Sequence, residues 1–130
     1  MGNKPVSGSW TAGNANDDSV STRGWLVGHF IDSSGGVRVT EDVEVKWAHH
    51  PAGDKRPAWT SGDQRTTLVI LIAGEFRVDV TGGSRTLSRQ GDYIMWKPGN
   101  NHSWEALTDS VVLTVRWPSG KRLDSTSTAT

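Results

Sequence analysis

The chain has 130 residues, enough for one domain, with 14 Lys+Arg against 14 Asp+Glu and no cysteine. The charge balance argues against a protein that grips nucleic acid mainly through its phosphates, because that footprint is basic. Zero Cys excludes thiol catalysis, zinc-thiolate sites and a disulfide scaffold.

Mean hydropathy is −0.50. No apolar run approaches the roughly 18 residues of a transmembrane helix, and the first ten residues lack the apolar segment of a signal peptide. A cytoplasmic protein with no membrane partner is expected. Seven Trp stand beside two Phe and one Tyr. Trp suits positions that are apolar on one side and polar on the other. The seven indoles therefore fill a core or line a pocket, and composition leaves both readings open.

Residues 1–23 are rich in Gly, Ser, Asn and Asp, with Val6, Trp10 and Val20 as the sizeable apolar side chains beyond Met1. They predict a flexible arm, or an edge strand pinned by Trp10. Residues 25–32 read as a strand ended by a turn at 33–36. Over 43–49, Val43, Val45, Trp47 and His49 share one face and Glu44, Lys46 and Ala48 the other. Residues 66–73 form an apolar run that reads as a strand covered on both faces, and Gly74 breaks it. Over 75–80, Phe76, Val78 and Val80 point inward and Glu75, Arg77 and Asp79 outward, before a hairpin turn at 81–84. Strands follow at 92–96, 102–106 and 110–117, the first closed by Pro98-Gly99-Asn100-Asn101. No window joins helix-forming composition to a 3.6 period. The tail over 119–130 reads as disordered, leaving a folded unit at 24–118. Short strands at near-regular spacing predict an all-β sandwich or closed barrel.

One stretch is more specific than periodicity. Gly91, Gly99 and His102 fall in register with G-x5-P-x-G-x2-H, the second motif of the cupin superfamily, which this segment resembles. Lys97 stands at the Pro position and Pro98 comes one place later. Upstream, residues 68–74 resemble the end of the first cupin motif. The resemblance spans roughly residues 43–117 and implies a double-stranded β-helix, the cupin jelly-roll barrel.

It also implies a metal site that this sequence departs from. Metal-binding cupins are expected to carry H-x-H, then Glu after three or four residues, then Gly after six more. Counting back from Gly74 puts Thr67 at the Glu position. The H-x-H window holds Thr60-Ser61-Gly62-Asp63 with Trp59 at its edge. Hydroxyls are poor ligands beside carboxylate and imidazole. Of the usual set only His102 remains, so no cofactor is expected. A divalent metal at a shifted site stays open, built from His102, His49 or His50, and Asp63 or Glu105. Strand parity with Val43, Val45 and Trp47 favours His49 as the inward member of the His49-His50 pair.

The candidate ligand-binding residues are Arg56, Trp59, Trp47, Thr67, Trp96 and Trp104. Arg is the usual planar partner of a carboxylate or phosphate, and Trp offers a flat apolar wall. The competing reading is a surface Arg56 paired with Asp54 or Asp63, and Trp side chains packed in the core. His102, His50 and His49 are candidate acid–base groups. His29 reads as an isolated structural His. The preferred function is a metal-free cupin binding an anionic or ring-containing small molecule in a Trp-lined pocket. The alternatives are a metal-independent isomerase, epimerase or lyase, a cupin with a shifted metal site, or a barrel packed solid. A homodimer is expected, with Trp25 and Trp10 near the N-terminal edge as its cover.

Overall fold

The computed structural model describes residues 9–60 and 63–120. Among these, eight strands form two antiparallel sheets: β1 (Trp25–Val27), β2 (Glu44–His50), β3 (Thr66–Ala73), β4 (Phe76–Val80), β5 (Gly83–Leu87), β6 (Tyr93–Trp96), β7 (His102–Ala106) and β8 (Ser110–Trp117). One sheet runs β1-β2-β8-β3-β6 and the other β5-β4-β7. They face each other across a core that includes Val69, Leu71, Phe76, Val78, Leu87, Trp96 and Val112. This is the all-β architecture expected from the strand spacing.

Local chemistry sets the connections. The β4–β5 hairpin turns on Thr81 and Gly82, with Val80 paired to Gly83 and Gly82 at φ +87°. β5, which begins at Gly83 inside the expected turn, was not among the predicted strands. Gly74 ends β3 at φ +96°, where a Cβ would lie 2.3 Å from the Asp109 carbonyl oxygen. Only glycine fits there. β1 stops at Val27, well short of residue 32, because Ser33–Arg38 winds into 3-10 turns capped by Asp32.

The termini differ from the expected picture. Residues 1–8 and 121–130 lie outside the described residues. Within the arm, α1 (Ala15–Asp18) is a helical turn whose Asn14 cap accepts from the Asn16 backbone N–H, and a 3-10 turn follows at Val20–Thr22. Among the described residues of the arm no edge strand forms, because a capped turn satisfies this backbone locally and the segment has no alternating apolar side chains. Trp10 is exposed. At the other end the fold continues past 118. Ser119 is fully buried, its N–H donating to the Glu41 carbonyl oxygen at 2.9 Å and its hydroxyl to Glu44 Oε1 at 3.0 Å.

The two sheets use their faces oppositely. In β4, Phe76 and Val78 are buried while Arg77 bonds Asp79 and Glu105 on the outside. In β2 the inward residues are Glu44, Lys46, Ala48 and His50, and in β8 they are Val112, Thr114 and Arg116. Their outward neighbours are apolar except for His49. Cross-strand register sets Tyr93, Ile70, Leu113 and Trp47 in one row across β6, β3, β8 and β2, and Met95, Leu68, Val115 and Val45 in the next. Strand parity in β2 therefore runs opposite to the expectation. His49 and Trp47 face outward and His50 faces inward. The usual rule, apolar side in, fails because Glu44 finds hydrogen-bond partners inside the barrel.

Candidate functional site

Between the sheets lies a cavity of about 90 Å³, whose lining combines Phe76, Val78, Val112 and Ala48 with polar groups. Lys46 and Arg116 enter it from β2 and β8, and Arg56 reaches it from the exposed loop after β2. Trp25, Trp96 and Trp104 supply aromatic walls, and His50, His102 and Thr67 complete the polar lining. Among the described residues no carboxylate lines the cavity, while Lys46, Arg56 and Arg116 do.

Glu44 explains how such a wall folds. It is fully buried and accepts from Arg116 Nη2, the Ser119 hydroxyl and the Gly120 backbone N–H, with Arg65 Nε at 3.6 Å. A buried charge is tolerated only when paired and hydrogen-bonded in this way. Glu44 thus neutralises one face of the Arg116 guanidinium. The other side of Arg116 stacks over Trp25, at 4.7 Å from the ring centroid, and Lys46 lies 5.5 Å from the same ring. Lys46 makes no salt bridge among the described residues. Burial, with Arg116 and Arg56 nearby, lowers its pKa, and only Asp54 opposes this.

Four residues of the lining carry buried polar atoms without a hydrogen-bond partner among the described residues: Thr67 Oγ1, Trp96 Nε1, His102 Nδ1 and Arg116 Nε. Buried polar groups are normally paired with protein or ordered water. His102 is held by reciprocal backbone hydrogen bonds to Thr60 and packs its ring 4.7 Å from that of Trp96. Burial lowers its pKa, with Arg56 and Arg116 acting in the same direction and Asp63 against them. It is therefore a neutral imidazole near pH 7.

His50 is fixed differently. Its Nδ1 is 2.7 Å from Asp54 Oδ2, and its ring lies 4.3 Å from Trp104 and 5.4 Å from Phe76. Asp54 sits after β2, where Pro51 and Gly53 turn the chain back so that position i+4 returns to the histidine.

Several expected residues lie elsewhere. His49 Nε2 and Trp47 Nε1 both meet Asn16 Oδ1 at 2.7 Å, on the outer face beneath α1. Trp59 is 52% exposed and does not line the cavity, because its loop runs over the surface. Trp25, expected at a dimer edge, is instead a wall of the cavity. Arg56, Thr67, Trp96, Trp104, His102 and His50 do come together. Lys46 and Arg116 were missed. The signal for them was the pair of strands on which charged residues alternate with Val and Trp, read with the wrong face inward.

The residues do not fit the metal that the fold implies. Thr67 offers a hydroxyl where a carboxylate would be required, His50 is committed to Asp54, and Lys46, Arg56 and Arg116 repel a cation from His102. The candidate oxygen donors are also engaged, Asp63 by Arg65 and Glu105 by Arg77. Ser61 lies outside the described residues. Among the described residues no three His, Asp or Glu side chains form a ligand cluster.

Two antiparallel sheets closed around such an interior pocket define the class: this is the cupin fold. Solved structures bear that out. The chain is similar to KdgF from Halomonas sp., at 24% identity and TM-score 0.55 over 61% of this chain and 72% of that one. It is similar to an RmlC-like cupin from Shewanella frigidimarina, at 18% identity and TM-score 0.56, covering 62% and 69%. A cupin protein from Bacteroides fragilis gives 22% identity and TM-score 0.56, covering 65% and 71%. No protein-family model matches the chain, and no curated protein does either.

Proposed function

We propose that the protein binds a compact organic anion, a small carboxylic acid first among them, inside the barrel through side chains alone. The observation that carries this is a lining with Lys46, Arg56 and Arg116 and no carboxylate, next to the orphaned Thr67 Oγ1, Trp96 Nε1 and His102 Nδ1. An anionic head would meet Lys46 and the free edge of Arg116, with charge-assisted hydrogen bonds in a desolvated site. Donor groups of Thr67 and Trp96 would take its remaining oxygens. Trp25, Trp104 and Phe76 would flank its carbon skeleton. A volume of about 90 Å³ limits the enclosed part to a small group, since an apolar cavity of roughly 150 Å³ is what admits benzene.

The test is a thermal-shift and calorimetric series of short carboxylic acids and inorganic phosphate against their neutral amides and alcohols. Stabilisation by an acid and not by its amide, lost in Lys46→Met, is the expected result. Equal binding of the neutral analogue, or no stabilisation by any anion at millimolar concentration, would overturn the reading.

A second reading has its own observation, the His50–Asp54 pair. Asp54 at 2.7 Å sets the His50 tautomer with the proton on Nδ1, leaving Nε2 as a base. Beside a cationic wall, such a base would take a proton from the carbon next to a bound carboxylate, and the cations would stabilise the resulting enolate. Exchange of that C–H for deuterium in D2O, followed by NMR, reads this directly. Exchange should cease in His50→Gln while the acid still binds. Exchange surviving in that variant, or absent in the parent with bound acid, would remove the catalytic role.

A further inference from the structure

β2 has a strand neighbour along only part of its outer edge. β1 pairs with it at Trp25↔Lys46 and Val27↔Val45. Upstream of β1 the chain swings off this edge through two successive left-handed residues, Arg23 at φ +57° and Gly24 at φ +98°. The Trp47 N–H donates to the Gly24 carbonyl oxygen at 2.7 Å as the chain departs. The period of two then sends the His49 N–H toward the same edge, where no backbone carbonyl among the described residues accepts from it. The arm meets the strand again through Asn16, whose Oδ1 lies 2.7 Å from both Trp47 Nε1 and His49 Nε2. An indole N–H can only donate, so the Asn16 amide is turned with its oxygen to Trp47 and its own N–H groups are left for another acceptor.

The gap between arm and strand is a second pocket of about 340 Å³. Its lining includes Asn16, Arg23, Lys46, His49, His50 and Asp54. Lys46, Ala48 and His50 line this pocket and the barrel cavity alike. The two spaces therefore adjoin along alternate residues of one strand, with the small Ala48 between the two longer side chains. Among the described residues Asp54 is the one carboxylate in the outer lining, and it lies 2.7 Å from His50 Nδ1. Asp17 and Asp18 of α1 do not line the pocket.

We infer that this outer pocket takes a second acidic group of the ligand, so that the protein selects an organic dianion with one acid inside the barrel and the other at Arg23. The inference rests on the anion-binding reading of the cavity and extends the ligand beyond it. The outer acid meets the Arg23 guanidinium, the Asn16 amide and the His49 backbone N–H, while Lys46 stands between the two acids. An exposed Arg gains little from a free ion in water. A carboxylate already held at its other end is presented to that Arg at high effective concentration, which makes the second contact count. Arg23 is then a specificity residue supplied by the arm rather than by the barrel.

Calorimetric titration of the full chain with dicarboxylic acids of increasing length, each against its monoamide, tests this. The monoamide keeps one acid and neutralises the other. At one chain length the diacid should bind about tenfold tighter than its monoamide. Arg23→Asn should remove most of that gain and keep the affinity for the monoamide, since Asn tolerates a left-handed backbone. Arg23 is exposed, and near-ultraviolet circular dichroism would verify that the variant is folded. Equal affinity of diacid and monoamide at every length would overturn the inference and leave the inner site standing. So would a gain that survives undiminished in folded Arg23→Asn. Failure of both ligands to bind at millimolar concentration would overturn the inner site and this inference together.

Discussion

The three-stranded sheet and the five-stranded sheet obey the same alternation and put it to opposite uses. In the first, Phe76, Val78 and Ala106 point into the barrel and Arg77, Asp79 and Glu105 into water. In the second, Glu44, Lys46, Thr114 and Arg116 point into the barrel, and Val45, Leu113, Val115 and Leu68 point away from it. A sheet with one face on a core and one in water should read apolar-in and polar-out. The inverted sheet teaches that its inner face is not all core and its outer face is not all surface. One side gathers paired charges around a cavity, and the other carries the apolar residues.

The sharpest break of that comparison is a pair of alanine substitutions. On the conventional sheet the stabilising inward residue is apolar, and Phe76→Ala should cost about 3–5 kcal/mol through lost burial and a cavity. On the inverted sheet it is charged, and Glu44→Ala should cost about as much, about 3–5 kcal/mol, because Arg116 and Arg65 lose their buried counter-ion. Urea denaturation measures both. A Glu44→Ala loss under about 1 kcal/mol would mean that the inner charges are hydrated and the inversion is only apparent.

Lys46→Met probes the same row with the opposite sign. Lys46 has no salt bridge among the described residues and its ammonium is partly desolvated, as its lowered pKa reflects. Replacing a poorly compensated charge by an apolar chain of similar length should stabilise the fold, by on the order of 1 kcal/mol. The same change should remove anion binding. A stabilised protein that no longer binds would separate ligand recognition from folding, as expected where a residue is kept for function at a cost in stability.

The inner face also carries a pH signature. Burial holds the folded-state pKa of His102 below its usual 6.5. The unfolded chain therefore takes up this proton first as the pH falls. The contribution of His102 is fully present above pH 6.5 and is lost on acidification below it, until the folded-state pKa is reached. One such proton gives a slope of at most about 1.4 kcal/mol per pH unit. His102→Gln should flatten the stability profile between neutral pH and pH 5, relative to the parent. An unchanged difference between the two proteins across that interval would show that His102 is hydrated.

The fold was legible because it rests on features that sequence carries locally. Glycines fall at forced turns such as Gly74, the 110–117 alternation has a clean period of two, and Gly91, Gly99 and His102 hold a fixed spacing. The inward set of β4 was legible for the same reason, since Phe76 and Val78 follow the apolar-in rule. The site was half legible. Thr67, Trp96, Trp104 and His102 could be placed by counting along the cupin motifs, and Arg56 by its chemistry. Lys46 and Arg116 could not. Their inward direction depends on Glu44, and Glu44 is tolerable inside only because Arg65, Ser119 and Gly120 converge on it from distant parts of the chain. His50 displaced His49 for the same reason, one parity shift along β2. Nothing within the segment 43–50 encodes which of its faces meets those partners.

The smallest effect belongs to the outside of the conventional sheet, and it closes the comparison from that side. Arg77 is 38% exposed at its side chain and contacts Asp79 at 3.3 Å and Glu105 at 3.2 Å. Solvent screens these pairs, so Arg77→Ala should cost less than about 1 kcal/mol by urea denaturation. Raising the salt concentration should shrink the difference further, because exposed pairs weaken with ionic strength. Salt should do little to the loss in Glu44→Ala, whose partners are buried. Equal salt sensitivity in the two variants would mean that the two sheets present their charges to the same environment. The inversion would then describe sequence pattern rather than structure.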